Sequence, residues 1–555
     1  MKTHIILIAT GVVAICLMTS WFNFKYLIAG MIYASENPID SKIIFSKDTG
    51  FYEEEFFLSI YAPTKEIYYT LDGSDPTKES FKYESPIYIY DASQDENRES
   101  MRKDICADFD SYFKSPDYSI DKCTVLKVAY YDQNGNRSQV EERLYFVKFG
   151  EKMGYNNVNI ISITANPEDL FGSAKGIYVQ GETFQRFASE NELSEYSESS
   201  WEANYNNRGR EWERKANIHV FNTSQKTVLT QNVGIRIQGG VSRNLTQKSF
   251  NIYARDEYGN NQMRYDFFGT GYYPQRVTLS AGGNDYHGKM KDRIGAELGK
   301  NLNMCTMNYI PYVLFLNGEY WGFYYMTEKY DENYIEHYYN VNKDNVIIYK
   351  LSEREAGRQG DGQYYDEMRE FISTADMTID ENYKKACQMI DIDSFLDYYA
   401  AEIYMARNAD WPQANYATWR SRSISEKPYE DGKWRWLLFD VNTSAFESNL
   451  SEHDTIAYAI EKCDLFANLS KNEEFRDAFT ERLREMRDEV FTLEVVKEKL
   501  NEYKELMSDP MEKHIQRFYW GDGELYQNKR REMRAFATNR PEYIETMLYN
   551  NGFTN

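Results

Sequence analysis

The pattern of apolar residues changes twice along this chain, and each change limits what a segment can become. Between residues 41 and 148, aromatic and β-branched residues fall in short alternating runs: 51–62, 66–73, 85–91, 124–132 and 143–149. Asp72-Gly73, Asp75-Pro76 and the Asn-Gly-Asn at 134–136 separate them. Alternation with period two, broken by turn residues at regular intervals, marks half-buried strands and reads as a small all-β sandwich. From about residue 155 strands and helices mix. Residues 291–302 have helical spacing, with Ile294, Leu298 and Leu302 on one face, and 309–327 reads as two strands around an Asn317-Gly318 turn. After about residue 390 helices dominate, above all over 455–548. The expected fold is multidomain: an N-terminal apolar helix within 1–40, a sandwich over 41–150, and an α+β domain over 151–555 with a helical C-terminal part.

Ile5–Phe22 carries no charge, and Lys2 and His4 precede it. Eighteen residues at ~1.5 Å each span roughly 27 Å, close to a bilayer core. The segment reads as a signal anchor or a cleaved secretory signal, with Ile32-Tyr33-Ala34 as the cleavage site in the second case. Either way the bulk of the chain is expected outside the membrane, tethered or secreted. Six cysteines contain no Cys-x-x-Cys pair, which argues against a zinc cluster. Cys106 and Cys123 flank one loop-like stretch, and a disulfide between them suits an exported segment.

With 64 Lys+Arg against 87 Asp+Glu the net charge is −23, which excludes non-specific nucleic-acid binding. The 48 tyrosines suit sugar-binding surfaces as well as ordinary strands. There is no His-Glu-x-x-His and no Gly-x-Ser-x-Gly. Gly283–Lys289 has the spacing of a phosphate-binding P-loop, but Met290 stands where Ser or Thr is required, so it reads as a glycine-rich turn that begins a helix.

Three pieces spread over 234–442 together suggest a nucleotide site. Gly239 and Gly240 lie in a loop between two strands where backbone can approach a ligand closely; Ser242 and Arg243 add donors, and Lys248 opens the returning strand. Asp410 precedes Asn415 by the D-x-x-x-x-N spacing of a kinase catalytic loop, in which the acid orients a hydroxyl and the amide holds a metal. An apolar strand over 433–439 then ends in Asp440, a position suited to a metal-binding acid.

In that order these pieces resemble the spore-coat CotH kinase family, an atypical protein-kinase-like group. The likeness runs over about 155–550, through 159–171, 176–182, 211–221, 234–252, 312–339, 408–416, 434–446 and 536–548. The string 68–77, with Leu71 to Pro76, resembles the chitobiase/β-hexosaminidase C-terminal type of sandwich module, a familiar neighbour of that family. The resemblance implies a protein-kinase-like domain that uses ATP with Mg²⁺ or Mn²⁺ on a protein substrate. It implies that Gly239, Gly240, Ser242 and Arg243 cover the phosphates, that Lys248 pairs with them, and that Glu297 is the ion-pair partner of Lys248. It further implies Glu328 at the hinge near adenine, Asp410 as catalytic acid/base, and Asn415 and Asp440 as metal ligands. Asn408-Ala409 stands where ordinary kinases carry His-Arg, and Asn442 where many relatives carry a second acid. The second reading is of another class: a non-catalytic cell-surface binding or structural protein with a glycan-associated sandwich. The acidic body also favours a basic, surface-associated protein substrate over an acidic one.

Overall fold

A computed structural model describes residues 42–107, 115–519 and 523–554. The N-terminal apolar segment, with its expected helix, lies outside the described residues. Among the described residues no helix is long and apolar enough to cross a membrane.

The chain divides into two units. The described part of the first comprises 42–94 and 122–150. Its five-stranded sheet runs in the order Gly50–Tyr52, Glu141–Val147, Thr124–Tyr130, Ile67–Thr70, Phe81–Lys82. Two short pairs accompany it, Phe56–Leu58 with Ile87–Ile89 and Ile44–Phe45 with Ile60–Tyr61. Leu58, Ile60, Ile67, Ile89, Leu126, Val128, Tyr145 and Val147 form its core, on the alternate positions the period-two pattern predicts. The Asn-Gly-Asn turn closes on Asp132, whose Oδ1 accepts from the backbone N–H of Asn134 (2.9 Å) and Asn136 (2.8 Å).

The second unit comprises 151–555 together with Asp95–Asp121, a segment that in sequence interrupts the sandwich. Its hydrogen bonds tie it to the second unit. The backbone N–H groups of Arg98 and Ser100 donate to the two oxygens of the buried Glu319 carboxylate at 2.6 and 2.7 Å. The Ala107 N–H donates to Asn244 O at 3.1 Å. Cys106 and Cys123 are buried thiols, so the expected disulfide is not formed.

Seven strands of this unit close into a barrel: Asn159–Ala165, Arg214–Phe221, Thr227–Gln238, Ser249–Tyr253, Arg276–Ser280, Glu319–Thr327 and Tyr309–Leu316, with the last parallel to the first. Leu229, Gln231, Val233, Ile235 and Ile237 alternate into its interior from one strand. Asn317 and Gly318, at φ 45° and 88°, make the expected tight turn. The chain then enters the helical part through helix Glu332–Tyr339 and a four-stranded sheet, Glu353–Ala356, Val346–Lys350, Ala417–Ser421 and Arg435–Trp436. Helix Ile392–Tyr404 is buried on every side from Ser394 onward, Asp397 and Glu402 included. The strand before Asp440 is only Arg435–Trp436, shorter than the apolar run predicted.

Candidate functional site

Helix Ile392–Tyr404 delivers the first acid. Its end unwinds at Ala406 (φ 59°), and Asp410 sits exposed at φ 60°. Non-glycine residues rarely adopt this left-handed conformation, and where they do a function is often attached. The Asp410 carbonyl accepts from the N–H of Asn415 at 2.6 Å, which closes a compact turn and brings Asp410 and Asn415 together. Beneath it Arg407 Nη1 lies 3.3 Å from Glu402 Oε2, both fully buried. Burial pushes the Glu402 carboxyl up to about 7, outweighing the attraction of Arg407.

The second acid stands on a similarly strained loop. Asp440, Ser444 and Phe446 have φ 56°, 63° and 58°. The loop packs against the first: Ser444 Oγ accepts from Asn408 N–H (3.1 Å) and Met405 O from Phe446 N–H (3.1 Å). Asp440 is hydrogen-bonded by Asn442 rather than by Asn415. The Asn442 amide Nδ2 donates both to Asp440 Oδ1 at 2.6 Å and to Asp292 Oδ2 at 2.8 Å. A second carboxylate therefore joins Asp440, supplied by helix Lys291–Leu298. Burial, then the Asp440 charge, push Asp292 up to about 7, and its Oδ1 is buried without a hydrogen-bond partner. Gly295 lets this helix approach: a Cβ there would meet Val441 Cγ2 at 2.9 Å.

These residues suit a divalent cation. Two carboxylates held side by side, one with an unpartnered buried oxygen, are what Mg²⁺ or Mn²⁺ takes from a protein when phosphate and water complete the shell. Among the described residues no group of three or more His, Cys, Asp or Glu is placed to hold a metal. Where Asn442 carries no charge, Asp292 brings a carboxylate within hydrogen-bond reach of its amide. Sequence reasoning missed Asp292 because an acid in the first turn of a helix reads as a partner of the helix dipole.

The Gly282–Lys291 turn completes the site. Gly282 and Gly283 have φ 97° and 55°, and a Cβ on Gly283 would lie 2.9 Å from Asn442 Nδ2. Asn442 Oδ1 accepts from Asn284 N–H (3.2 Å), and Thr443 Oγ1 from Asn284 Nδ2 (2.6 Å). Asp285 Oδ2 accepts from the N–H of Met290 and Lys291 at 2.7 and 2.9 Å and so starts the helix. Lys291 Nζ reaches Glu447 at 2.9 Å. Lys289 Nζ donates to Gln247 Oε1 at 2.7 Å and to Ala281 O. Burial pushes Lys289 down to about 7, partly offset by Asp285.

The 239–248 loop differs from expectation. Gly239 has φ 123°, and a Cβ on Gly240 would meet nothing, so the backbone there is open as predicted. Arg243 instead turns inward. Nε donates to Gly239 O (2.8 Å), Nη1 to Tyr205 O (2.9 Å) and Asn207 O (3.0 Å), and Nη2 to Ile237 O (2.7 Å). Lys248 is fully buried; Nζ donates to Arg243 O and to Leu245 O at 2.7 Å, over the Tyr205 ring at 3.9 Å. Both cations therefore hold the loop's own backbone. Glu297 is not the partner of Lys248; it pairs with Arg293 at 2.7 Å, one helical turn away. Glu328 follows the last barrel strand, but its carboxylate accepts from Asn308 N–H (2.8 Å), Asn308 Nδ2 (3.2 Å) and the Tyr338 hydroxyl. It ties strand to helix.

Residues 235–544, more than half of the chain, match the family described as CotH kinase protein, and the chain belongs to that family. Residues 58–145 match the family described as Fn3 associated, which covers the sandwich module. No curated protein matches the chain.

Proposed function

We propose that this member of the CotH kinase family is an atypical protein kinase that transfers the γ-phosphoryl group of ATP to a hydroxyl side chain of a surface-associated or secreted protein. The observation that carries this reading is the Asp292–Asn442–Asp440 bridge beside the Asp410 turn. Asp410, exposed and held by its turn, orients the acceptor hydroxyl and takes up its proton. Asp440 and Asp292 hold the divalent cation, with Asn442 fixing both carboxylates on one side and Asn415 placed on the Asp410 turn. A bound Mg²⁺ or Mn²⁺ supplies neutralisation of the phosphoryl oxygens. Most of the rate enhancement then comes from positioning and preorganised charge.

The −23 charge favours a basic acceptor segment, and the apolar N-terminus would place the enzyme at or beyond a membrane. The full chain with labelled ATP and Mn²⁺ should label itself or a basic protein. Equal labelling by Asp440→Ala would sink the assignment. The truncation to avoid is a cut near residue 150, because it removes Asp95–Asp121 from the second unit.

One observation favours the second reading for the sandwich. Phe57 is 68% exposed, and its ring lies 5.1 Å from that of exposed Tyr88 across a strand pair. Such a ladder suits the apolar face of a sugar ring. Retention of the chain on immobilised glycan, lost in Phe57→Ala, together with no nucleotide binding, would favour a binding protein over a kinase.

A further inference from the structure

The last string of the family resemblance, 536–548, contributes no side chain to the carboxylate site, yet it holds a completely buried arginine, Arg540. Arg540 lies between helix Glu524–Asn539 and helix Pro541–Asn550, with helical backbone angles of its own (φ −52°, ψ −41°). Its N–H donates to Phe536 O at 2.8 Å, and Pro541, which has no N–H to lose, opens the next helix. The backbone from which this side chain starts is therefore held by a helix on each side.

A guanidinium has five N–H groups in one rigid plane, and Arg540 uses all five. Nε donates to Tyr404 O at 3.1 Å, and Nη2 to Ile403 O at 2.7 Å and Thr455 Oγ1 at 3.1 Å. Nη1 donates to Ser451 O at 3.0 Å and His453 O at 2.7 Å. These acceptors belong to two segments. Ile403 and Tyr404 end helix Ile392–Tyr404, where carbonyls run out of helical partners and the negative end of the helix dipole favours a cation. Two residues further on the chain turns at Ala406 and runs to Asp410. Ser451, His453 and Thr455 follow the loop that carries Asp440, and they lead into helix Thr455–Lys462. The Tyr458 ring of that helix lies 6.5 Å from the ring of Trp411, the residue after Asp410.

Both segments adjoin left-handed residues: Ala406 and Asp410 on one side, Asp440, Ser444 and Phe446 on the other. Such residues persist only where their surroundings over-determine them. The two loops meet directly through the Asn408–Ser444 and Met405–Phe446 hydrogen bonds. Arg540 adds a second tie, between the helix end that precedes Asp410 and the residues that follow the Asp440 loop.

We propose that Arg540 is a positioning residue for phosphoryl transfer, which fixes the Asp410 turn relative to the Asp440 loop without touching substrate. The inference rests on the reading of Asp410 as the catalytic acid and Asp440 as a metal-holding one. A planar fork suits this task, since a lysine makes at most three of the five bonds and a methionine none.

The test is the single-turnover rate constant for consumption of γ-labelled ATP by the full chain with Mn²⁺ and a lysine-rich serine peptide. The chain is kept in excess over ATP, so the rate constant reports the molecules that bind nucleotide and is insensitive to an unfolded fraction. Arg540→Lys should lower it about 10-fold and Arg540→Met about 10²-fold, the scale of a misplacement of about 1 Å. Thr455→Val removes one of the five bonds and keeps the side-chain shape; it should slow turnover about 3-fold and serves if the Arg540 variants fail to fold. Arg530→Lys is the control: its guanidinium, on the helix that precedes Arg540, reaches Leu500 O and Gln527 Oε1, each at 3.3 Å. It should lower the melting temperature and leave the rate constant unchanged. A wild-type rate constant in every Arg540 or Thr455 variant that folds would make Arg540 a structural residue only and overturn the inference, with the kinase reading intact. No ATP consumption by the wild type overturns the kinase reading, and this inference with it.

Discussion

Two loops of the second unit carry the same ingredients and spend them on different acceptors. Residues 239–248 contain two glycines, an arginine and a lysine; residues 282–292 contain three glycines and two lysines. In the first loop Arg243 and Lys248 donate to backbone carbonyls of 205–245, and their charge is spent on holding the turn. In the second, Lys289 and Lys291 donate to a glutamine, a carbonyl and a glutamate, while the glycines let Asn284 and Asn442 meet. What a buried cation does is set by the acceptors around it, and residue type and spacing do not reveal that set.

The comparison can be broken from either side. The largest effect is expected next to the second loop: Asp292→Ala and Asp440→Ala should each lower phosphoryl transfer by about 10²–10³-fold, the range for removing one preorganised charge partner. Single-turnover labelling checks this, and full activity of Asp292→Ala would return the second acid to an unknown position. Arg243→Met should cost about 3 kcal/mol of stability, because it leaves four carbonyl bonds unmade, two of them fully buried, and Lys248→Met about 2 kcal/mol. Denaturant unfolding reads both. If either variant lost nucleotide affinity while remaining fully folded, the 239–248 loop would be a ligand loop after all.

Asn442→Asp sharpens the contrast. It removes both bridging donations and sets a third carboxylate beside two others. Without divalent metal the variant should be about 1 kcal/mol less stable than the wild type. Added Mn²⁺ should raise its melting temperature more than that of the wild type; equal responses would argue against metal at this pair.

An effect read through pH comes from Glu402, beneath the Asp410 turn. Its folded-state pKa, raised from 4.5 to about 7, means that the folded protein holds this proton more tightly than the unfolded chain. The stability it contributes is complete below about pH 4.5 and is lost as pH rises to about 7. Glu402→Gln should flatten that part of the stability–pH curve, and an unchanged slope would show that Glu402 is ionised throughout beside Arg407.

Much of the fold was legible because local rules decide it. The strand runs of the sandwich, the Asn317-Gly318 turn and the helix from Lys291 follow from periodicity and turn chemistry. The joining of Asp95–Asp121 to the second unit was not legible, since its anchor is Glu319, 221 and 219 residues beyond the N–H groups it accepts from. Among site residues, the pairing of Asp410 with Asn415 is a local turn and was readable. The pairing of Asp440 with Asp292 was not, because Asn442 makes it across 150 residues of chain.

By itself the sequence determined the β-rich and helical parts, the family, the acidic body that disfavours nucleic acid, and the order glycine loop, Asp410, Asn415, Asp440. Only the tertiary structure decided which acceptors hold Lys248 and Lys289, which acid stands beside Asp440, and that Glu297 and Glu328 are occupied by other partners. The physical reason is one of range. Backbone conformation answers to neighbours within a few residues, whereas the role of a buried charge is set by whichever donors and acceptors packing brings to it, and those come from anywhere in the chain.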